Sequence, residues 1–333
     1  MFSHQMKRKL YACLPSGICT VCFVMTVNCA ELSGEHVARI DSDRGRVVIA
    51  DNEAYGTEHK GGYNGVSEWR LGAGNARNLF VPSYAGLNLE HVFSGDATSY
   101  DWNIFEPRRV PMQLIRLSTN RVELRQDRTE HWPLRSRLLF EVKEDAVDLT
   151  YYGTPLADVW KKHGYIGVFF ASYINAPEDM AIQFIGRSRT GSGSDQSRWI
   201  KHLPEKHGVA ANHRPAGSQW DPQVDDGFKI SLATGNSEFE YLYPFYFGRS
   251  GENVFVMMFE RMNDDGELRF AQSPSGGGTG NPAWDFVYFR RNYAINREFG
   301  FRVRAVYEKF TSAEDVVRLY EKWSGEKVNL PPR

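Results

Sequence analysis

Alternation of apolar and polar residues with a period of two is the feature that most constrains what this chain can fold into. It recurs in RVELR (121–125), AVDLTYY (146–152), LRFAQ (268–272) and FRVRAVY (301–307). Such alternation is typical of strands with one buried face, whereas the near-continuous apolar runs YIGVFFASY and NVFVMMF are typical of strands buried on both faces. The pattern predicts an all-β protein with roughly a dozen strands or more.

Short turn signals lie between these strands and indicate how they connect. STNR (118–121), KEDA (143–146) and NDDG (263–266) are clusters of turn-forming residues. Because a short turn joins neighbouring strands in opposite directions, most neighbours should pair antiparallel. No linker rich in Pro or in Gly and Ser divides the chain, and it contains no repeat of fixed period. We therefore expect residues 31–333 to form one large domain, an antiparallel two-sheet supersandwich.

One helix is predicted near the C-terminus, in SAEDVVRLYEKW (312–323). Ser312 is a favourable N-cap, and Asp315 stands in the capping-box position. The apolar side chains recur at helical spacing and form one face. These side chains are Val316, Leu319, Tyr320 and Trp323. The helix is expected to pack against the sandwich as a C-terminal brace.

The first thirty residues have the layout of a secretory signal peptide. MKRKL (6–10) is basic, the run that follows is apolar, and the segment ends in the small residue Ala30. This order predicts that residues 1–30 are removed and that the mature protein is secreted or periplasmic. An uncleaved membrane anchor is the alternative that the sequence leaves open. The chain has no Asn-x-Ser/Thr sequon, which fits an exported bacterial protein.

All four cysteines lie in this N-terminal segment, at positions 13, 19, 22 and 29. Cleavage at Ala30 leaves a mature chain without cysteine, which excludes disulfides, cysteine metal sites and thiol nucleophiles. The same cleavage removes Lys7, Arg8 and Lys9, which changes the formal net charge from −1 to −4. Since the mature chain has no basic run longer than two, neither nucleic acid nor a membrane is expected as a partner.

The sequence predicts no cofactor. Five histidines fall in the central third of the chain, three of them within KHLPEKHGVAANHRP (201–215). No histidine pair has the close helical spacing of a zinc motif, so no metal is predicted, and a structural or catalytic divalent cation is the alternative that the sequence leaves open. The sequence makes no prediction about the oligomeric state.

Three stretches combine flexible turns with side chains that bind sugars or transfer protons. In the first, HKGGYNGVSEW (59–69), two glycines and an Asn-Gly pair indicate a tight turn. His59 and Asn64 would lie at its tip. The alternative is an ordinary hairpin in which the histidine has no role in binding or catalysis.

The second stretch, YAGLNLEHVFSGD (84–96), sets Glu90 and His91 side by side. A carboxylate near an imidazole can transfer protons at a sugar carbon or help to bind a metal. In a regular strand adjacent residues face opposite sides, so both can enter one pocket only if the strand carries a bulge. One of the two is therefore expected to point into solvent.

The third stretch is SPSGGGTGNPAWDF (273–286) with the strand before it. A nucleotide phosphate loop requires Gly-Lys-Ser/Thr entering a helix, and this loop has no lysine and runs into a strand, so phosphate binding is excluded. The loop can instead deliver Trp284 as a stacking platform for a pyranose and Asp285 as a hydrogen-bond acceptor or general base. The alternative is a core tryptophan under a long turn, with Asp285 capping backbone amides.

Further side chains complete the set of candidate residues. His207 is favoured as an acid or base because Gly208 gives its loop the freedom to aim an imidazole into a cleft. Arg116 and Arg269 are expected to bind the carboxylate or sulfate of an acidic sugar. Gln272 and Ser273, where the strand meets the glycine-rich loop, are further candidates for substrate contacts.

The strand-rich body, dispersed histidines and aromatic-rich loops resemble the galactose-mutarotase-like supersandwich group. That group includes aldose epimerases and the β domains of several polysaccharide lyases and glycoside hydrolases. Members of the epimerase branch use a histidine acid and a late glutamate base, so the resemblance implies these roles for His207 and Asp285. The chain lacks the Asn-x-x-His-Pro-Phe-Gly and His-x-Tyr-Phe-Asn segments of the epimerases, and YPFYFG (243–248) is only superficially similar to them.

The leading hypothesis is a secreted enzyme that acts on a polysaccharide or an acidic or sulfated glycan. Histidine and carboxylate side chains would perform the acid–base chemistry. His207, His59, His91 and Asp285 are the candidate catalytic residues. The reaction is expected to be β-elimination or hydrolysis, and epimerisation of a monosaccharide fits an exported chain less well. The alternative is a glycan-binding or surface-assembly sandwich in which the same aromatic side chains stack on sugars and no proton moves.

Overall fold

The computed structural model describes residues 35–55, 62–72, 76–98, 103–190, 196–262 and 265–331. The predicted signal peptide and His59 lie outside these residues. Within them, no helix is long and apolar enough to cross a membrane. The described chain is all-β and antiparallel, with three helices, the longest of them near the C-terminus. The fold class predicted from the alternating pattern is therefore confirmed.

The strands form three sheets. A three-stranded sheet has the order β1 (Val37–Ser42), β2 (Gly45–Ala50) and β3 (Gly65–Leu71). A five-stranded sheet has the order β12 (Asn212–His213), β16 (Gly266–Ser273), β17 (Ala283–Arg291), β9 (Tyr165–Ala171) and β4 (Asn88–Phe93). The third sheet has ten strands, in the order β11-β10-β14-β15-β18-β8-β7-β6-β5, with β13 paired to β10.

The strands of the ten-stranded sheet are β5 (Gln113–Arg116), β6 (Arg121–Gln126), β7 (Leu134–Val142), β8 (Ala146–Pro155), β10 (Ile182–Ser188), β11 (Arg198–His202), β13 (Phe239–Tyr241), β14 (Phe245–Ser250), β15 (Asn253–Phe259) and β18 (Phe299–Lys309). The helices are α1 (Glu106–Arg109), α2 (Ser231–Thr234) and α3 (Ala313–Ser324). STNR and KEDA connect β5 to β6 and β7 to β8, and both strand pairs are antiparallel as predicted.

The main core lies between the ten-stranded and five-stranded sheets, and aromatic rings form much of it. Phe286 of β17 contacts Phe301 of β18 edge-on, with ring centroids 5.9 Å apart. Trp69 of β3 contacts Phe255 of β15 in the same way, at 6.3 Å. The three-stranded sheet therefore packs on the same face of the large sheet as the five-stranded sheet does. A continuous apolar core of this size explains how the fold does without disulfides.

Helix α3 covers the other face of the large sheet. Its N-cap is Ser312, whose hydroxyl accepts a hydrogen bond from the Asp315 amide, as the sequence predicts. Tyr320 is fully buried against Phe245 of β14, with ring centroids 4.9 Å apart. The helix ends at Gly325, which adopts the left-handed conformation that glycine accommodates without strain.

The outer face of the five-stranded sheet is also covered, here by loops and the short helices α1 and α2. On β17, Trp284 and Phe286 point into the main core, whereas Val287 and Phe289 point outward into a second apolar cluster with Phe169 of β9. The sequence predicts one exposed face for LRFAQ, but every residue of β16 is buried. Loops cover the face of β16 that was expected to be exposed. The alternation within one strand does not show whether another segment packs on its polar face.

Candidate functional site

A cavity of about 700 Å³ opens on the outer face of the five-stranded sheet. Its lining comes from segments that are far apart in sequence, including β4, α1, the segment after β9, the loop between β11 and β12, and α2. The ionisable side chains that line it are Tyr63, Tyr84, Glu90, His91, Arg108, Arg109, Tyr173, His207 and Lys229. Three of these, Glu90, His91 and His207, are candidates from the sequence.

A bulge in β4 brings Glu90 and His91 to the same cavity. In the pairing with β9, Leu89 lies opposite Phe170 and His91 lies opposite Phe169, so that Glu90 is the extra residue. Both side chains are buried, with 5% of Glu90 and 7% of His91 exposed. The expectation that one of the pair points into solvent is therefore wrong. The bulge allows both side chains to enter one pocket, because the extra residue interrupts the rule that adjacent side chains point to opposite faces of the sheet.

Glu90 is held in a buried network of charge and hydrogen bonds. Arg108 donates from Nη1 to Oε1 at 2.7 Å, and the Tyr173 hydroxyl lies 2.6 Å from Oε2. Burial lowers the pKa of the Arg108 guanidinium, but attraction to Glu90 together with the interactions with Tyr173 and Tyr63 outweighs it, and the pKa is raised. Burial, and then the charge on Glu90, raise the pKa of Tyr173 well above its usual value. Arg108 therefore stays charged and Tyr173 stays protonated.

Three tyrosine rings lie together beside this network. The centroid of the Tyr63 ring is 4.7 Å from that of Tyr84 and 5.3 Å from that of Tyr173. The Arg108 guanidinium stacks over Tyr63, with Cζ 3.8 Å from the ring centroid, an arrangement that favours the cation. Burial raises the pKa of Tyr63 to about 12, so its hydroxyl keeps its proton at neutral pH.

His91 has its tautomer defined by the backbone. Its Nδ1 donates to the carbonyl of Ile104, which can only accept, so the lone pair of the neutral ring is on Nε2. The ring packs between Phe105 and Phe169. Burial lowers the pKa of His91, although the nearby charge on Glu90 acts in the opposite direction. The imidazole is therefore neutral near pH 7 and can accept a proton.

His207 lies at the rim of the cavity, in the loop between β11 and β12. Its Nδ1 lies 3.0 Å from the hydroxyl of Ser273, the buried last residue of β16. The residue is exposed, but the protein atoms around its ring desolvate it enough to lower its pKa, against the raising effect of Glu90. Ser273 thus contacts a residue of the cavity lining without lining the cavity itself.

The mouth of the cavity carries positive charge. Arg109 and Lys229 are both exposed, and neither forms an ion pair with a carboxylate of the described chain. Glu90 is the sole carboxylate among the described residues that line the cavity, and Arg108 already balances it. The charge that remains is positive, so an anion is attracted to this opening.

Of the two positions that the sequence leaves open for Trp284, the structure shows the core. The indole is fully buried, donates from Nε1 to the Met180 carbonyl at 2.9 Å and stacks on Phe255. Asp285 faces the other side of β17 but is also buried, and its Oδ1 accepts from the Ser172 amide at 2.8 Å. Neither side chain lines the cavity.

Arg269 and Gln272 of β16 are held in buried networks away from the cavity. Arg269 is fully buried and donates to Glu267, to Asn236 and to the carbonyl of Trp220. Gln272 lies between two histidine rings, with its amide nitrogen 2.6 Å from His202. The donors of both side chains are directed at protein partners and not at the cavity.

Asn64 and Arg116 also lie outside the cavity lining. The Asn64 side chain pairs twice with the backbone of Leu89, donating to its carbonyl and accepting from its amide, both at 3.0 Å. It thus holds β4 in place directly before the bulge at Glu90. Arg116 is on β5, at the edge of the ten-stranded sheet, where it donates to the carbonyl of Arg39.

Sequence reasoning missed the side chains that surround Glu90. Arg108 and Arg109 belong to FEPRRV, where a proline before two arginines was the available signal of a short helix start. Tyr173 is the last residue of the apolar run YIGVFFASY. A tyrosine that ends a buried strand is a common core residue, so its sequence position alone did not separate it from the other fifteen tyrosines of the chain.

No protein-family model and no curated protein matches the chain in sequence. Several solved structures are similar to it. A putative aldose 1-epimerase from Escherichia coli K12 has a TM-score of 0.42 and 9% identity over 82% of this chain and 99% of that one. A galactose mutarotase-like protein from Lactobacillus casei has a TM-score of 0.47 and 8% identity over 82% and 100%. A heparan sulfate lyase mutant from Pedobacter heparinus has a TM-score of 0.38 and 8% identity over 84% and 36%. These structures are similar to the chain at TM-scores below 0.5, so the function is inferred from the cavity alone.

Proposed function

We propose that this protein is a carbohydrate-active enzyme that binds an acidic or sulfated glycan in the cavity and cleaves it by β-elimination. The observation that carries the proposal is one cavity lined by the neutral imidazole of His91, whose Nε2 holds the ring's lone pair, by tyrosine side chains and by exposed cations. These are the groups needed to remove a proton, return a proton and hold an anion.

The charge of the lining favours an anionic ligand. Arg109 and Lys229 are available at the mouth, and Arg108 lies deeper in the cavity. A guanidinium presents paired donors to a carboxylate or sulfate, and an ammonium adds a point charge. Uronic acids and sulfated sugars are the sugars that carry such groups.

The aromatic lining favours a sugar as the carrier of that charge. Tyr84 is half-buried and lies against Tyr63 and Tyr173, so it presents part of its ring to the cavity. An aromatic face packs well on the apolar face of a pyranose. A cavity of about 700 Å³ has room for a small number of sugar rings.

The side chains that line the cavity can supply both the proton acceptor and the proton donor that β-elimination needs. Nε2 of His91 or His207 removes the proton at C5 of a uronate, the electron pair forms the C4–C5 double bond, and the C4–O bond breaks. A cation next to the uronate carboxylate stabilises the charge that develops when C5 loses its proton. The leaving oxygen takes a proton from a tyrosine hydroxyl. Tyr63 suits this step because its raised pKa, about 12, keeps it protonated.

Hydrolysis has less support from the lining. Most glycoside hydrolases use two carboxyl groups, one on each side of the bond to be cleaved. Among the described residues, the cavity offers Glu90 alone, and Arg108 and Tyr173 already occupy its oxygens. We therefore favour elimination over hydrolysis.

Export is a further part of the proposal. It rests on the basic, apolar and small residues of the first thirty positions. It assigns residues 31–333 to a mature protein that meets its polysaccharide outside the cytoplasm. N-terminal sequencing of the protein recovered from the culture medium or periplasm tests it, and an N-terminus near residue 31 is the expected result.

The activity is tested with a panel of uronate-containing, sulfated and neutral polysaccharides. We expect ultraviolet absorbance from unsaturated uronate with at least one anionic polysaccharide and with no neutral one. His91→Gln should reduce the rate by about 100-fold or more, as loss of a general base does. Lys229→Met should weaken binding, and Lys322→Met on the exposed surface of α3 is the matched control.

The pH profile adds a second readout. The reaction needs a neutral imidazole, and burial lowers the pKa values of His91 and His207 below the ordinary 6.5. The rate should therefore begin to fall with acidification only below about pH 6.5. If the protein binds glycan saturably but forms no product, and His91→Gln does not change the binding, the protein is a glycan-binding protein and not an enzyme. The absence of both binding and product would overturn the enzyme and the glycan-binding protein alike.

A further inference from the structure

Outside the cavity, three loops bring two aspartates and a histidine together. Asp96 follows β4, His163 precedes β9, and Asp225 lies in the segment before α2. One ligand atom from each of the three residues lies within 4.8 Å of the others. Nε2 of His163 is 3.3 Å from Asp225 Oδ1 and 3.9 Å from Asp96 Oδ1.

The histidine distinguishes this group from an ordinary acidic patch. The side chain of His163 is only 9% exposed, and Nε2 is buried and directed at the two carboxylates. Although Asp225 Oδ1 is 3.3 Å away, Nε2 forms no hydrogen bond with it or with another described group. A buried polar atom is normally hydrogen-bonded. A buried Nε2 that faces two carboxylates without a hydrogen bond therefore indicates that a bound ion belongs between them.

We propose that Asp96, His163 and Asp225 form a binding site for a divalent transition-metal ion of the zinc class. One imidazole nitrogen with carboxylate oxygens is a donor set that suits zinc and its neighbours better than calcium or magnesium, which prefer oxygen alone. In a tetrahedral site with bonds of about 2.1 Å the donor atoms are about 3.4 Å apart. The separation of 3.3 Å between His163 and Asp225 already agrees with this value, and the separation of 3.9 Å between His163 and Asp96 needs a contraction of about 0.5 Å.

A protein cation shares the site. The ammonium of Lys162 contacts Asp225 Oδ2 and lies 3.4 Å from Asp96 Oδ1. Its side chain is 55% exposed, so it can swing into solvent when a metal ion arrives. The lysine therefore balances the two carboxylates in the absence of metal and competes with the metal for them. Its removal should strengthen metal binding, whereas removal of a true ligand should weaken it.

The site lies where it can stabilise the mouth of the cavity. The Asp225 amide donates to the Gly95 carbonyl at 2.7 Å, and the Lys229 amide donates to the Thr98 hydroxyl at 2.8 Å. The two loops thus run together from the proposed metal site to Lys229. A bound ion would link them at one end and reduce the motion of the lysine at the other. This inference does not depend on what the cavity binds.

The test is calorimetric titration of metal-free protein, purified without a histidine tag, with Zn²⁺, and with Ca²⁺ for comparison. We expect one Zn²⁺ per chain and much weaker Ca²⁺ binding. His163→Ala should weaken Zn²⁺ binding by at least about 10-fold, and Lys162→Met should strengthen it by about 10-fold. His36→Ala, which removes another imidazole that contacts an aspartate, should change nothing.

Two outcomes would overturn the proposal. One is the absence of saturable Zn²⁺ binding to both the unaltered protein and Lys162→Met. The other is equal affinity in the unaltered protein and in His163→Ala. If His163→Ala does not reach the unfolding temperature of the metal-free protein, Asp225→Asn takes its place, since that change keeps the shape of the side chain and removes one charged ligand.

Discussion

Two buried carboxyl groups on the outer side of the five-stranded sheet, Glu90 and Asp285, have opposite electrostatic surroundings. Glu90 has a guanidinium 2.7 Å away and a tyrosine hydroxyl on its second oxygen. Asp285 has one backbone amide on Oδ1, and Oδ2 is buried without a described partner. Burial raises the pKa of Asp285 well above its usual value, and the charge on Glu90 adds to the effect. The protonated form of Asp285 is therefore the one that the fold prefers.

This preference predicts how stability changes with pH. The folded state binds the Asp285 proton more tightly than the unfolded state does, so the contribution of this group is fully present below the unfolded pKa, about 3.9, and declines as pH rises. Asp285→Asn mimics the protonated form and has no such decline. The variant should exceed the unaltered protein in free energy of unfolding by an amount that grows from about pH 4 upward, about 1.4 kcal/mol for each unit of pKa shift.

Urea unfolding of both proteins between pH 4 and pH 8 measures this difference. Asp43→Asn is the control, since Asp43 is exposed in the turn between β1 and β2, and it should stay within about 0.5 kcal/mol at every pH. A difference for Asp285→Asn that does not change with pH would contradict the prediction.

Among the elements, β4 shows how one irregularity positions the candidate site. Its register shifts by one residue at Glu90, while Asn64 holds the backbone of Leu89 from the side. The bulge lets a single short strand deliver both a carboxylate and an imidazole to one cavity. A regular strand with the same sequence would have placed one of them on the other face.

A close contact between β14 and β17 is important for stability. Gly248 of β14 lies under the Trp284 indole, and a Cβ atom there would be 2.3 Å from Cη2 of the ring. Gly248→Ala should therefore cost about 1–3 kcal/mol through overpacking. In a Trp284→Phe background the same change should cost at least about 1 kcal/mol less, because the smaller ring removes the clash.

A double-mutant cycle by urea unfolding gives the coupling between these two positions. The four proteins are the unaltered chain, each single variant and the double variant. Additive free energies of unfolding would show that the glycine is not required by the indole.

At the scale of the whole molecule, the sandwich depends on helix α3 to cover its large sheet. Val316 and Tyr320 of the helix are buried in a cluster with Phe245, Val256 and Met258 of the sheet. Each fully buried side chain of this kind contributes about 1.5–3 kcal/mol. Loss of the helix therefore removes on the order of 5 kcal/mol or more, which is comparable to the net stability of a domain.

A chain that ends at residue 311 should consequently expose the outer face of the ten-stranded sheet. We expect it to bind the dye ANS and to elute as aggregates in size-exclusion chromatography, because a large exposed apolar patch promotes association. Lys322→Ala, on the exposed surface of the same helix, should elute like the unaltered protein. A monomeric truncated chain without dye binding would show that the helix is dispensable.

The sequence by itself determined the class of this protein. Period-two alternation identified the antiparallel strands, STNR and KEDA identified two of the turns, and Ser312 with Asp315 identified the cap of α3. These predictions succeeded because each depends on residues close together in the chain, whose side chains alternate or recur with the geometry of the strand or helix itself. Three candidate site residues, Glu90, His91 and His207, could be named on the same local grounds.

Only the tertiary structure decided which side chains meet. Glu90 contacts Tyr173, which is 83 residues away in sequence, and His207 contacts Ser273, which is 66 residues away. Such contacts depend on strand order, on the bulge in β4 and on the loops that cover β16, and a local pattern contains none of this information. Trp284 is the clearest case, because its own sequence fits a sugar platform and a core residue equally well. It is a core residue because Gly248 and Phe255 of the facing sheet leave a space that only a large ring fills.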